Sequence, residues 1–180
     1  MEKKKIWELG RDSVEEFRSK PKMDVVVVLD NIRSLNNIGS IFRTSDAFVV
    51  DRLMLCGITA QPPSVEIHKT ALGAEDSVAW EYFADTSDCI RHLKQAGYQI
   101  CVLEQVHDSV SLENFKPQRG EKYAVVVGHE VHGVSQEVVN ESDVCIEIPQ
   151  EGTKHSLNVA VSAGLAIWRF YCCLRLQQSD

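Results

Sequence analysis

The stretch Asp24-Val-Val-Val-Val-Leu-Asp30 decides the fold class. It is a continuous, mostly β-branched run with a carboxylate at each end. A strand with one wet face would alternate apolar and polar residues. An unbroken run reads instead as a strand covered on both faces, as in a parallel sheet packed between helices. Similar runs recur at Arg52–Cys56, Val78–Phe83, Tyr98–Glu104, Tyr123–Gly128 and Val144–Ile148. Helical patterns lie between most of them. Asn37 to Val49 follows the first run. Thr86 to Ala96 carries Cys89, Ile90 and Leu93 at helical spacing and stops at Gly97, a helix-ending residue. Leu157 to Leu176 is long and mostly apolar. Strands alternating with helices predict an α/β fold with a mostly parallel sheet flanked by helices.

The chain has 180 residues, which suits one domain. Apolar residues are 44% and charged residues 25%, a globular balance that excludes disordered and fibrous classes. Residues 1–22 read as an N-terminal helix or arm, set apart by Pro21 from a domain over 23–180. The charged N-terminus has no apolar signal-peptide core, and the run Val25 to Leu29 is far below the ~18 residues of a membrane span. The six cysteines form no Cys-x-x-Cys pair. No zinc site, no membrane and a reducing cytoplasm are therefore expected.

The net charge of −7 argues at first against nucleic acid, because phosphate binding usually leaves a basic footprint. The charge is uneven, however. Glu130 to Glu151 holds six acidic residues and no Lys or Arg, while residues 1–22 hold seven Lys/Arg against five Asp/Glu. Asn31 to Thr44 carries Arg33 and Arg43 and no acid. Screening acts over ~8–10 Å, so local balance decides what a phosphate meets. Weak non-specific RNA affinity is the expectation.

Ligands of α/β sheets bind at the carboxyl ends of the strands, so the segments after each run carry the information. The first has one glycine, Gly39, where a dinucleotide site would show Gly-x-Gly-x-x-Gly, and no Walker loop occurs anywhere. Its amides and arginines suit a phosphate or carboxylate. Helix capping by Asn36 or Asn37 with solvated arginines is the competing reading. The fifth run ends in Val127-Gly-His-Glu-Val-His-Gly133. Gly128 would let backbone pass close to a ligand, and Glu130 could bind or cap. His129 and His132 lack the His-Glu-x-x-His pattern, so packing is preferred to metal. The sixth run ends at Ile148-Pro149 and leads to Ser156-Leu-Asn158. Pro149 stops the strand, Ser156 is an N-cap candidate, and Ala160, Ser162, Ala163 and Gly164 would permit close helix packing.

Taken in order, Asn37-x-x-x-Ile41-x-Arg43-Thr44, Gly128-x-Glu130-x-x-Gly133, and Ile148-Pro149 with Ser156-Leu-Asn158-Val resemble the three motifs of the SpoU (TrmH-like) RNA 2′-O-ribose methyltransferases of the SPOUT superfamily. The likeness runs from about Val25 to Arg175, and Ala71-Leu-Gly-Ala74 resembles a further stretch common in that family. The resemblance implies a parallel α/β sheet whose C-terminal third forms a deep trefoil knot, a rare topology. It also implies bent S-adenosylmethionine in the knot loops, and homodimers whose active sites are completed across the interface.

By position, the resemblance makes Arg43 the catalytic arginine, with Asn37, Glu130, Ser156 and Asn158 as the other polar site residues. Gly128, Ile148 and Leu157 fall on cofactor-contacting positions, and Leu103 ends the strand whose following loop borders the cofactor. The methyl of a sulfonium is already activated, so the enzyme's work is to position a ribose 2′-hydroxyl, and no metal is implied. An arginine, which stays protonated in proteins, is a poor base. Arg43 is therefore read as fixing a phosphate and stabilising developing alkoxide charge.

Many ribosomal-RNA members carry an extra N-terminal RNA-binding domain, but about 22 residues precede the first strand here. The expected substrate is tRNA or rRNA, with this compact form favouring tRNA. The stretch Leu174 to Asp180, near Arg169 and Arg175, offers little of the usual basic terminal helix. The competing functions are a non-catalytic RNA- or cofactor-binding homologue and a small-molecule methyltransferase of the same fold.

Overall fold

The structure, a computed structural model, describes residues 1–176. The valine run occupies β1 (Met23–Asp30). Val25 through Leu29 are fully buried, with Val25, Val27 and Leu29 in one core layer and Val26 and Val28 in the other. That two-sided burial is why the run does not alternate. After the loop comes α2 (Leu35–Ala47), preceded in the chain by α1 (Val14–Ser19) and a 3₁₀ turn at Ile6–Leu9. Then follow β2 (Val50–Cys56), α3 (Val65–Ala71), α4 (Ala74–Ser77), β3 (Ala79–Phe83), α5 (Thr86–Gln95) and β4 (Tyr98–Leu103). The remainder is β5 (Val110–Ser111), β6 (Lys122–Gly128), α6 (Gln136–Asn140), β7 (Val144–Glu147) and α7 (Val159–Tyr171), which runs on into a π-helical turn at Cys172–Leu176.

The strands form one seven-stranded sheet in the order β3-β2-β1-β6-β4-β7-β5. Every pairing is parallel. Ile38, Ile41 and Phe42 of α2, Ile67 of α3, and Ala163, Ile167 and Phe170 of α7 cover one face. Cys89, Ile90 and Leu93 of α5 and Val138 of α6 cover the other. The chain lays β1, β2 and β3 outward in sequence. It then places β4 apart, and β6 later inserts between β1 and β4. The carboxyl ends of β1, β6, β4 and β7 thus stand side by side at a topological switch, where α/β sheets bind ligands.

Two expected helix starts move. Ser34, not Asn36 or Asn37, caps α2: its Oγ accepts from the Asn37 N–H at 3.3 Å. That leaves the Asn37 side chain free for other work. The last helix begins at Val159 rather than Leu157, and its cap is Asn158 rather than Ser156. The Asn158 Oδ1 accepts from the Ala160 and Val161 N–H groups at 2.9 and 3.3 Å, satisfying two donors that have no partner inside the helix. Strand β4 ends at Leu103, so Glu104 belongs to the loop. Residues 177–180, the tail of the expected terminal extension, lie outside the described residues.

Candidate active site

The site grows from the tip of β6. The loop after Gly128 turns back at once: His129 and Gly133 exchange backbone hydrogen bonds of 3.0 and 2.8 Å. A Cβ on residue 128 would stand 2.2 Å from the Val134 nitrogen and 2.3 Å from the Gly133 carbonyl carbon. Glycine is required there, and the backbone that passes close is that of the loop itself.

The turn throws Glu130 across to the loop after β1. Its carboxylate accepts from the N–H groups of Arg33 and Ser34 at 3.1 and 2.9 Å and from Asn37 Nδ2 at 3.0 Å. Asn37 Oδ1 in turn accepts from Asn158 Nδ2 at 3.1 Å. Asn158, Asn37 and Glu130 therefore form one hydrogen-bonded line, and each comes from a different motif. Burial pushes the Glu130 carboxyl up, but hydrogen bonds from Ser34, Arg33 and Asn37 outweigh it and hold the group below its ordinary value. A carboxylate at the N-terminal end of a 13-residue helix also meets the favourable end of the macrodipole.

Beside this line lies a cavity of about 470 Å³, within the range of small-molecule sites. Leu103, Gly128, Ile148 and Leu157, the four positions expected at a cofactor, all line it, as do Glu130 and Ser156. Asn37 stands next to it through its bond to Glu130, and Asn158 through its bond to Asn37. Arg43 is not among the lining residues. It is exposed on α2 and makes no hydrogen bond or ion pair among the described residues. Glu104 and Glu147 add two more carboxylates to the lining, and no Lys or Arg lines it. Sequence reasoning missed Glu104, although a carboxylate immediately after an apolar run is a visible signal. Among the described residues no group of three or more His, Cys, Asp or Glu is placed to hold a metal ion.

A wholly parallel sheet with a carboxylate-lined cavity at its switch point defines an α/β protein built around a site at the carboxyl ends of its central strands. The chain belongs to the SpoU rRNA Methylase family, whose model matches residues 24–168. It is similar to the tRNA (guanosine(18)-2′-O)-methyltransferase of Thermus thermophilus, with 29% identity over 89% of this chain and 81% of that one. It is 30% identical to the 23S rRNA (guanosine-2′-O-)-methyltransferase RlmB of Nitrosomonas europaea over 82% of this chain and 55% of that one. The crystal structure of an AdoMet-bound rRNA methyltransferase from Sinorhizobium meliloti superposes with a TM-score of 0.77 at 28% identity, covering 86% of this chain and 59% of that one. The chain spans 55–62% of the length of several curated relatives it matches.

Proposed function

We propose that the chain transfers a methyl group from S-adenosylmethionine to a ribose 2′-hydroxyl of tRNA or rRNA, acting as a homodimer in the cytoplasm. The observation that carries this reading is the line Glu130–Asn37–Asn158, which joins three separate motifs at the rim of one cavity. The names of the relatives, a tRNA and an rRNA 2′-O-methyltransferase, agree with it.

The lining fits the cofactor. Leu103, Ile148 and Leu157 offer apolar surface to an adenosyl group. Glu104, Glu130 and Glu147, with no neighbouring Lys or Arg in the lining, suit a ligand that carries sulfonium and ammonium charges. Bound there, S-adenosylmethionine supplies an already activated methyl group. The chain supplies position. Asn158 holds Asn37 and Asn37 holds Glu130, so the rim is organised before RNA arrives. Ser156, exposed at the cavity edge, is available to orient the ribose. Arg43, exposed and without a partner among the described residues, takes an RNA phosphate through its planar fork and stabilises the developing alkoxide.

Residues 1–22 form an arm for RNA contact, and 23–180 form the catalytic domain. The segment 148–158 lines the cavity together with the loops after β4 and β6, and Gln105 Nε2 donates to the His155 carbonyl at 3.0 Å. This interleaving supports a C-terminal trefoil knot. The segment Val159–Leu176 is apolar and long enough, by length and composition, to cross a membrane. Its Ala163, Ala166, Ile167 and Phe170 are buried on the sheet, while Val161, Leu165 and Trp168 stand 52%, 42% and 46% exposed. A second copy covering that face would complete the site beside Arg43, because α7 packs on α2.

The decisive experiment incubates the protein with labelled S-adenosylmethionine and tRNA or rRNA from a strain lacking the gene, then maps modified nucleosides by mass spectrometry. A single 2′-O-methylated nucleotide is expected. Failure to label either RNA would overturn the reading.

A further inference from the structure

The loop from His129 to Ser135 carries Glu130, and something must hold its far end. Two consecutive N–H groups close it, and each is taken by a carboxylate at the end of a different strand. Val134 N–H donates to Glu104 Oε2 at 3.0 Å. Ser135 N–H donates to Asp30 Oδ2 at 2.9 Å. Asp30 is the last residue of β1 and Glu104 the first after β4. These are the two strands that flank β6, so the loop leaving the central strand is gripped from both sides.

The grip is built in detail. Asp30 is 1% exposed, and its other oxygen accepts from Thr86 Oγ1 at 2.6 Å and Asn31 Nδ2 at 2.8 Å. Glu104 Oε1 accepts from the Gln105 N–H at 2.9 Å. A Cβ on residue 133 would lie 2.1 Å from Glu104 Oε2, and Gly133 has φ +68°, so glycine makes room for the carboxylate as well as for the turn. Neither carboxylate meets a cation among the described residues. Each is held by donors alone, which are strong and directional toward an ionised acceptor.

We infer that Asp30 and Glu104 are paired positioning residues that preset the 129–135 loop, and through it Glu130 and the cofactor cavity, by clamping the Val134 and Ser135 N–H groups. The inference deepens the methyltransferase reading and rests on it for the identity of the ligand. An amide cannot replace either group: Asn or Gln keeps one acceptor oxygen and turns an NH₂ toward a donor.

The test uses Asp30→Asn and Glu104→Gln in the full chain, with Asp143→Asn as control. Asp143 also accepts a backbone hydrogen bond, from Ile100 N–H at 2.7 Å, but at the amino end of β4, away from the cavity. Hydrogen exchange of the Val134 and Ser135 amides is read without ligand, and S-adenosylmethionine affinity is read by calorimetry. Glu104→Gln, partly exposed, keeps the test sound if the buried Asp30→Asn does not fold. Each clamp variant should exchange its own amide about tenfold faster or more and bind S-adenosylmethionine about tenfold more weakly. Asp143→Asn should change neither. Unchanged protection at both amides, or cofactor affinity that falls no further than in the control, would overturn the clamp. If the wild-type protein does not bind S-adenosylmethionine, the functional reading fails and the exchange arm still decides the clamp.

Discussion

Glu130 accepts three hydrogen bonds with two oxygens, a load that suits an ionised carboxylate and no neutral isostere. Glu130→Gln leaves at least one donor facing an NH₂ group, at a cost of about 1–3 kcal/mol. Thermal melting should show that loss, and methyl transfer should fall further, because the same change frees Asn37. The pH dependence has a definite sign. The folded-state pKa is lowered, so the contribution of Glu130 is complete above the unfolded value of about 4.3 and is lost as pH falls through the folded value. Glu16, Glu75 and Glu113 are lowered too, so the measurement is the difference between wild type and Glu130→Gln. That difference should narrow below pH ~4. Arg43 makes the opposite case. Exposed and without a partner among the described residues, it should be replaceable by Ala within about 0.5 kcal/mol of stability, while methylation at saturating RNA drops roughly 10²-fold or more. Arg43→Lys, which keeps charge and loses the planar fork, should fall between. Wild-type turnover in Arg43→Ala would remove its catalytic assignment. Glu130 was legible in the sequence because it sits in a short motif, and it lines the cavity, whereas the role given to Arg43 rests on its motif alone. The clamp roles of Asp30 and Glu104 were not legible, although both carboxylates stand visibly at the ends of apolar runs, since those contacts exist only once β6 has inserted between β1 and β4.

At the scale of elements, the longer helices and the apolar strands, even short ones such as β7, were legible, while the shortest helices and β5 were not. The seven residues of α3, five of α6 and two of β5 are too few for a periodic signal, and tertiary contact holds them. The α2–α3 contact shows how. A Cβ on residue 39 would stand 2.2 Å from Thr70 Oγ1 and 2.3 Å from the Ile67 carbonyl oxygen, and Thr70 Oγ1 donates to the Asn36 carbonyl at 2.9 Å. Gly39→Ala should therefore destabilise by about 1–3 kcal/mol through overpacking, despite Ala's better helix propensity, and chemical denaturation will read it. Helix caps were the other weak point. Ser34, Asn36 and Asn37 are all plausible caps by residue type, as are Ser156 and Asn158, and only the path of the loop selects among them. Asn158 does two jobs, which one substitution separates. Asn158→Asp keeps an acceptor for the Ala160 and Val161 N–H groups but loses the donor to Asn37. Melting should stay within about 0.5 kcal/mol, while methyl transfer falls. Asn158→Ala should lose both, with the cap worth about 1 kcal/mol. Equal activity in wild type and Asn158→Asp would show that the link to Asn37 is dispensable.

For the whole molecule, the parallel class was written in the unbroken valine run, but the strand order was not. Nothing local in Tyr123–Gly128 says that it pairs between β1 and β4, because register and neighbour are set by contacts distant in sequence. The surface of α7 raises a similar question about a second copy. A helix in a single-chain protein should show its polar side to water, yet Val161, Leu165 and Trp168 recur at spacings of four and three on the exposed side. Small residues line the same helix: Gly164 lies against Thr44 of α2, where a Cβ would meet its methyl at an ordinary 3.9 Å. That approach is within the chain, and it leaves Val161, Leu165 and Trp168 on the open face. Covering that face would remove apolar area worth about 25 cal/mol per Å², and it would set the partner next to the helix that carries Arg43. Leu165→Glu tests this arrangement, since the side chain is 42% exposed and its loss leaves the core intact. Light scattering should give a dimer for wild type and a monomer for the variant. Far-ultraviolet circular dichroism should be unchanged, and methyl transfer should fall with the dimer fraction. A variant that remains dimeric would move the interface off α7. One that becomes a monomer with full activity would mean that a single copy completes the site.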